Sequence, residues 1–257
     1  MKKIFSSLLL LFFLLSAQAS HAAELKMLFW YPGGAGSTAQ ARPTLELFFD
    51  YLNKHIAPQK ISGEYINTTQ DGVTYIKREA PTLAIISYST WVQFNRKIAA
   101  ARPWLELAPL PHGKNKDVYQ LLGTTSSIPA KTLIYSSEPL SKDFFAQHLF
   151  DLKSDYTLKE TPQIFQTLKA IANKEKEGIV VLTSIESATF SMLKAAWTKQ
   201  LKELALSKPI PTARVVSFSQ QFPAEQKLMK ALIQMNKDEE GKAILQELQI
   251  SSFQMLE

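Results

Sequence analysis

Short apolar runs, each closed by small polar residues and followed by helical spacing, fill the first third of the chain and restrict its fold. Leu25 to Tyr31 (LKMLFWY) reads as a buried strand, and Pro32-Gly33-Gly34 ends it. From Thr38 onward, Ala41, Leu45, Phe48, Phe49 and Leu52 recur at helical spacing. They predict an amphipathic helix reaching about His55, with Ser37 or Thr38 as its N-cap. Ile61 to Thr68 reads as a second strand, Gln70 to Arg78 as a short helix or turn, and Leu83 to Ser87 as a buried parallel strand. Trp91, Val92 and Phe94 open another helix. Strand, helix, strand, helix, strand in this order is the pattern of a parallel sheet with helices on its faces.

Further along, Pro103, Pro109, Pro111 and Gly113 mark a loop or crossover. Val118 to Gly123, Lys131 to Tyr135 and Gly178 to Leu182 read as strands, with helices over Phe144 to Phe150, Pro162 to Asn173 and through Met192 and Trp197. Pro209-Ile210-Pro211 reads as a second crossover leading to a strand at Arg214 to Phe218. Two helices, about Ala224 to Met235 and Lys237 to Gln249, end the reading, with Asn236 and Glu239 as a capping box for the second. The expected fold class is therefore α/β: two lobes of mixed, mostly parallel sheets with flanking helices and a cleft between them. The first lobe is expected over 23–110 and 207–257 and the second over 111–206. In such folds ligands settle at the carboxyl ends of the strands.

Lys2 and Lys3 precede an apolar run from Ile4 to Leu15, and Ala17-Gln18-Ala19 and Ser20-His21-Ala22 offer cleavage sites. This predicts a secretory leader over 1–22 and a periplasmic protein. The chain has no cysteine, which rules out a lipid-anchoring site, a disulfide and a thiolate metal site. The formal charge is +6, or +4 once Lys2 and Lys3 leave with the leader, and the basic residues are interspersed with acidic ones. No basic stripe with interleaved aromatics is present, so a nucleic-acid partner is not expected.

Catalytic signatures are absent from the sequence. The histidines His21, His55, His112 and His148 form no paired ligand spacing, and no G-x-S-x-G occurs. No enzyme, metal or cofactor is expected. The loop Trp30 to Gln40 (WYPGGAGSTAQ) satisfies the loose dinucleotide pattern in GAGSTA. Yet Asp50 falls inside the helix and Glu64 inside its strand, so the acidic residue such a fold needs at the tip of its second strand is missing. A plain glycine turn before an N-capped helix and a ligand-contacting loop both remain open for this segment.

The strand-to-helix junctions share one style. Gly36-Ser37-Thr38, Ser87-Tyr88-Ser89-Thr90, Tyr135-Ser136-Ser137 with Ser141, and Thr183-Ser184 all place small hydroxyl residues after an apolar strand. Hydroxyls and free helix N–H groups bind oxyanions or carboxylates without a cationic side chain. Ser37, Thr38, Ser87, Ser136, Ser137 and Thr183 are expected to donate to a small anionic or polar ligand, and Tyr31, Tyr88 and Trp91 to wall the cleft.

With these junctions the chain resembles the phosphate, phosphite and phosphonate solute-binding proteins of ABC transporters, which have the type 2 periplasmic-binding fold. The resemblance rests on Gly36 to Ala39 with Leu45, Tyr51 and Leu52, on Leu83 to Trp91, and on Arg214 to Ser219 with Phe222-Pro223. It continues through Leu232 to Met235, Gly241 to Leu245 and Leu248 to Phe253. It implies a non-enzymatic, monomeric capture protein that presents a small phosphate- or phosphonate-like ligand to an inner-membrane ABC permease. A divergent member acting instead on a membrane signalling partner is the alternative. The phosphonate-binding members carry a Ser-Thr-Ser-Gly turn in the second lobe. The matching stretch, Tyr135 to Ser141 (YSSEPLS), keeps serines, lacks the glycine and adds Glu138, which would repel an anion if it pointed inward.

Overall fold

The computed structural model describes residues 24–34, 36–95, 98, 101–110 and 116–256, so the expected leader at 1–22 lies outside the described residues. Two sheets organise the chain. The first contains β1 (Leu25–Trp30), β2 (Ile61–Ile66), β3 (Leu83–Ile86), β4 (Arg102–Pro109), β12 (Arg214–Ser217) and β13 (Ile250–Met255), in the order β13-β4-β12-β3-β1-β2. The second contains β6 (Gln120–Gly123), β7 (Lys131–Ser136), β8 (Asp155–Glu160), β9 (Ile179–Leu182) and β10 (Lys202–Leu206), in the order β10-β6-β9-β7-β8. Between them β5 (Lys116–Asp117) and β11 (Ile210–Pro211) pair antiparallel, where the outgoing and returning chain run side by side.

The sheets are mixed, but the expected excess of parallel pairs is not found. Parallel pairing joins β1 to β2 and β3, and β7 to β8 and β9. The other ladders are antiparallel: in the first sheet β12 and β13 return from the second lobe and lie against β3 and β4, and in the second β6 pairs antiparallel with β9 and β10.

Buried alternation fixes the first lobe on both sides. Met27 and Phe29 face a core with Phe48, Phe49, Leu52 and Phe253, while Leu28 and Trp30 face Ile76, Ala84 and Val216. Both faces are covered, which explains the continuous apolar run of β1. The first of these cores takes the inner stripe of α1 (Thr38–Ile56), with the Phe29 and Phe48 rings edge to face at 5.4 Å. α2 (Thr69–Glu79) covers the other face by bringing Gly72 against the Trp30 indole, whose Nε1 donates to the Thr68 carbonyl at 2.9 Å. A Cβ on Gly72 would stand 2.1 Å from that Nε1. Gly72→Ala gains about 1 kcal/mol of helix propensity but overpacks a fully buried ring at about 1–3 kcal/mol. The clash is expected to win, lowering the melting temperature by several degrees in calorimetry; an unchanged or raised value would contradict this packing.

The prolines read as a crossover at 103 and 109 lie instead in a strand. β12 pairs Val215 with Leu105 but Val216 with Pro103, so Trp104 is bulged and Pro103 sits at the irregularity where no ladder donor is needed. Pro109 is the last residue of β4, beside the shifted register of β13. The carboxyl end also differs from expectation. α7 (Glu225–Gln234) and α8 (Glu239–Glu247) form as predicted in kind, but Asp238 caps α8, accepting from the Gly241 N–H and the Tyr51 hydroxyl, both at 2.7 Å. After α8 the chain adds β13 at the sheet edge.

In the second lobe, Leu121, Ile134 and Val181 pack with Phe144, Phe145, Leu149 and Phe150. Phe144 comes from α4 (Lys142–Phe144), Phe145 and Leu149 from the π-turn that follows it (Phe145–Leu149), and Phe150 is the extended residue that ends that turn. α5 (Ile164–Ala172) covers the opposite face, and α6 (Ser184–Met192) follows β9. α3 (Tyr88–Phe94) begins in the first lobe, yet its Tyr88 and Val92 pack onto the second lobe's core.

Candidate functional site: the interlobe cleft

Four loops leave the carboxyl ends of β1, β3, β7 and β9, and the close contacts between lobes occur among them. The turn after β1 touches the turn after β7: a Cβ on Gly33, whose φ is +81°, would stand 2.0 Å from the Ser137 carbonyl oxygen. Gln93 of α3 accepts a hydrogen bond from the Ser141 N–H at 2.6 Å. Tyr88 lies between the lobes, with Phe144 and His148 on one side and the Arg214 guanidinium 5.3 Å from its ring centre.

Six of the expected residues gather around this junction. Tyr31 follows β1, and its phenol is held well above the usual tyrosine range by burial first, then by Tyr65 and Glu138. Ser87 is buried and caps α3, accepting from the Thr90 N–H and donating to the Thr90 hydroxyl at 2.7 Å. Ser136 accepts from the Glu138 N–H at 3.1 Å, and the Ser137 hydroxyl bonds the Glu186 carboxylate. Thr183 and Glu186 form a capping box at the start of α6. Tyr88 completes the set.

The other three stand elsewhere. Ser37 is exposed and engaged in a capping box with Gln40. Thr38 donates to the Tyr65 carbonyl at 2.7 Å and borders a separate depression of about 460 Å³ between α1 and β2. Trp91 is half-buried and packs on the first lobe's core, in the cluster that also includes Phe94. A helix-cap hydroxyl looks the same in sequence whether it serves its own helix or a ligand.

The cleft also holds groups that the junction pattern did not single out. Glu138 keeps some surface toward a pocket of about 400 Å³, where Gln93 and Phe94 face Ser136, Ser141 and Lys159. Its carboxyl, though, is packed against both lobes. Tyr119 donates to its Oε2 at 2.7 Å, and Ser89 hydrogen-bonds it from α3. Burial pushes this carboxyl up to about 7; the hydrogen bonds of Tyr119 and Ser89 pull it down, and Asp117 and Glu186 push it up. Burial raises Glu186 too, against its bonds to Ser137 and Thr183. Asp117 accepts from the Ser184 N–H at 3.2 Å. The arrangement is a polar, acid-lined cleft with tyrosine walls, and its carboxyls are not placed for a metal: among the described residues no group of three or more His, Asp or Glu suits one. The serine and threonine hydroxyls at these loops are of a kind that suits binding a small polar ligand.

A family model described as the phosphonate periplasmic substrate-binding protein of ABC transporters matches residues 37–257. No curated protein matches the sequence. Among solved structures, a binding-protein component of an ABC phosphonate transporter from Pseudomonas aeruginosa is similar at TM-score 0.66 and 13% identity, covering 91% of this chain and 82% of that one. A Xanthomonas citri protein bound to chloride ion is similar at TM-score 0.69 and 13% identity, covering 91% and 92%. A Prochlorococcus marinus protein in complex with methylphosphonate is similar at TM-score 0.60 and 13% identity, covering 91% and 93%. At such identities the likeness of these structures carries the two-lobed fold, and the family model carries the membership: this chain belongs to the phosphonate periplasmic substrate-binding proteins of ABC transporters.

Proposed function

We propose that the protein captures a small oxyanion of the phosphate or phosphonate class between its lobes and presents it to an inner-membrane ABC permease. The observation that carries this reading is the meeting of Gly33, Ser89 and Gln93 from the first lobe with Ser137, Glu138 and Ser141 from the second, at the carboxyl ends of parallel strands. The lobes, 23–110 with 207–257 and 111–206, would hinge at the ribbon of β5 and β11. A leader over 1–22 would deliver the chain to the periplasm. The methylphosphonate complex of the Prochlorococcus relative supports this ligand class.

Titration calorimetry of the purified protein against phosphate, phosphite, alkylphosphonates and sulfate tests the capture reading. Saturable binding of at least one of them at one site is expected. Silence from the whole panel would remove the oxyanion reading.

A further inference from the structure

The serine turn after β7 fills the cleft with the chain's own atoms. The Ser137 carbonyl oxygen and the Glu138 Cα lie against Gly33 of the first lobe, where a Cβ would stand 2.0 and 2.9 Å from them. The Glu138 carboxylate takes a hydrogen bond from Ser89 of α3, and the Ser141 N–H donates to Gln93 of the same helix at 2.6 Å. From its own lobe, Tyr119 donates to the Glu138 Oε2 at 2.7 Å. The other hydroxyls expected to meet a ligand are engaged too: Ser87 with Thr90, Ser137 with Glu186, and Thr183 in its capping box. No ion pair among the described residues includes Glu138, so hydroxyl donors rather than a cation hold its carboxylate.

A carboxylate that accepts from both lobes does what a captured oxyanion would do: it ties the lobes together through charge-assisted hydrogen bonds. A second oxyanion cannot use the same donors while the carboxylate holds them, and the backbone contact at Gly33 leaves no space between the turns there. Asp117 and Glu186 surround the carboxylate with further negative charge. An incoming anion therefore enters at least cost by exchange, one negative group for another. We propose that the serine turn is an autoinhibitory plug, in which Glu138 acts as an internal oxyanion that keeps the lobes together and has to leave Ser89 and Tyr119 before an outside anion binds. The pocket of about 400 Å³ bordered by Gln93, Lys159 and Glu160, which the Glu138 side chain already lines, gives the displaced carboxylate room. The inference rests on the capture reading for the identity of the competitor and adds how the cleft is held shut against it.

The test pairs small-angle scattering with titration calorimetry at about pH 8 on the native chain, Glu138→Ala and Glu138→Gln, with methylphosphonate and inorganic phosphate as probes. Both variants lose the charge, but only alanine loses the acceptor and the bulk that occupy the donors. Without a probe, the native protein and Glu138→Gln are expected to scatter alike, and Glu138→Ala to have a larger radius of gyration. A saturating probe should contract Glu138→Ala to native size and leave the native radius unchanged. Apparent affinity scales with the fraction of molecules whose donors are free. Glu138→Ala is therefore expected to bind about tenfold or more tighter than Glu138→Gln, the gain for a plug in place about 90% of the time. On a Tyr119→Phe background, where the plug itself is weaker, the alanine gain should shrink to about threefold or less. Equal gains in both variants would reduce Glu138 to charge repulsion and overturn the inference. Weaker binding by Glu138→Ala would overturn it too, by making the carboxylate a partner of the ligand. Should the alanine variant fold poorly, the native protein decides: a radius that contracts when the probe binds overturns the plug, and an unchanged one supports it. Silence of every protein toward both probes removes the capture reading, while the radii without probe still decide whether Glu138 holds the lobes together.

Discussion

Replacing Gly33 with alanine is expected to hold the protein open. The new Cβ would lie 2.0 Å from the Ser137 carbonyl oxygen, 2.6 Å from its carbon and 2.9 Å from the Glu138 Cα. These are backbone atoms of the opposite lobe, so no side-chain rotation relieves the clash. The left-handed backbone at φ +81° adds strain of its own, about 1–2 kcal/mol for a residue with a Cβ. Compressing the turns would cost further, while separating two lobes joined by a short ribbon breaks only the interlobe contacts. Small-angle scattering should therefore show a larger radius of gyration for Gly33→Ala, and ligand affinity should fall about tenfold or more as closure loses upwards of 1.4 kcal/mol. Gly36→Ala is the control. Its φ is +80°, so the backbone strain matches, but the nearest contact of its Cβ is the Gln40 Oε1 at 3.5 Å. That variant should lose stability and keep both the scattering profile and the affinity. A Gly33→Ala protein that scatters and binds like the native one would show that the turns do not meet in solution.

In the glycine loop after β1, Ser37 and Thr38 hydrogen-bond to α1 and β2, and Gly33 brings its backbone against the other lobe. The elements legible in sequence were those with an unambiguous pattern: β1, β3 and β9 as apolar runs, and α1 as a long stripe. β8 and β10 lie at the edges of their sheet and are largely exposed, so they lack the apolar run that announces a strand. β4 was hidden by prolines that a bulge and a strand end accommodate.

The cleft was legible by half for a similar reason. Local junction chemistry locates Ser87, Ser136, Ser137 and Thr183, because cap and turn residues are set by neighbours in sequence. Which face Trp91 presents, and which carboxyls converge, depends on contacts across long separations. Asp117, Tyr119 and Glu186 reach Glu138 only once the ribbon, β6 and β9 are in place. Glu138 itself was visible as an acid where the resembling family has none, and its inward direction came from the packing of both lobes against it.

That inward carboxyl should leave a mark on stability without any ligand. Its value rises from 4.5 to about 7 on folding, chiefly by burial. Between those values the folded chain keeps a proton that the unfolded chain releases, so stability falls as pH rises through this window and stays lower above it. The span corresponds to a loss on the order of 3 kcal/mol from one group, and Glu186, raised in the same direction, adds to it. Glu138→Gln has nearly the same shape, keeps an acceptor for the Tyr119 hydroxyl and never ionises. Denaturant unfolding should find the variant close to the native protein at about pH 5 and more stable at about pH 8, with most of the native pH slope gone. A native protein equally stable at both values would mean that water reaches the carboxyl and that the lobes do not pack on it as described.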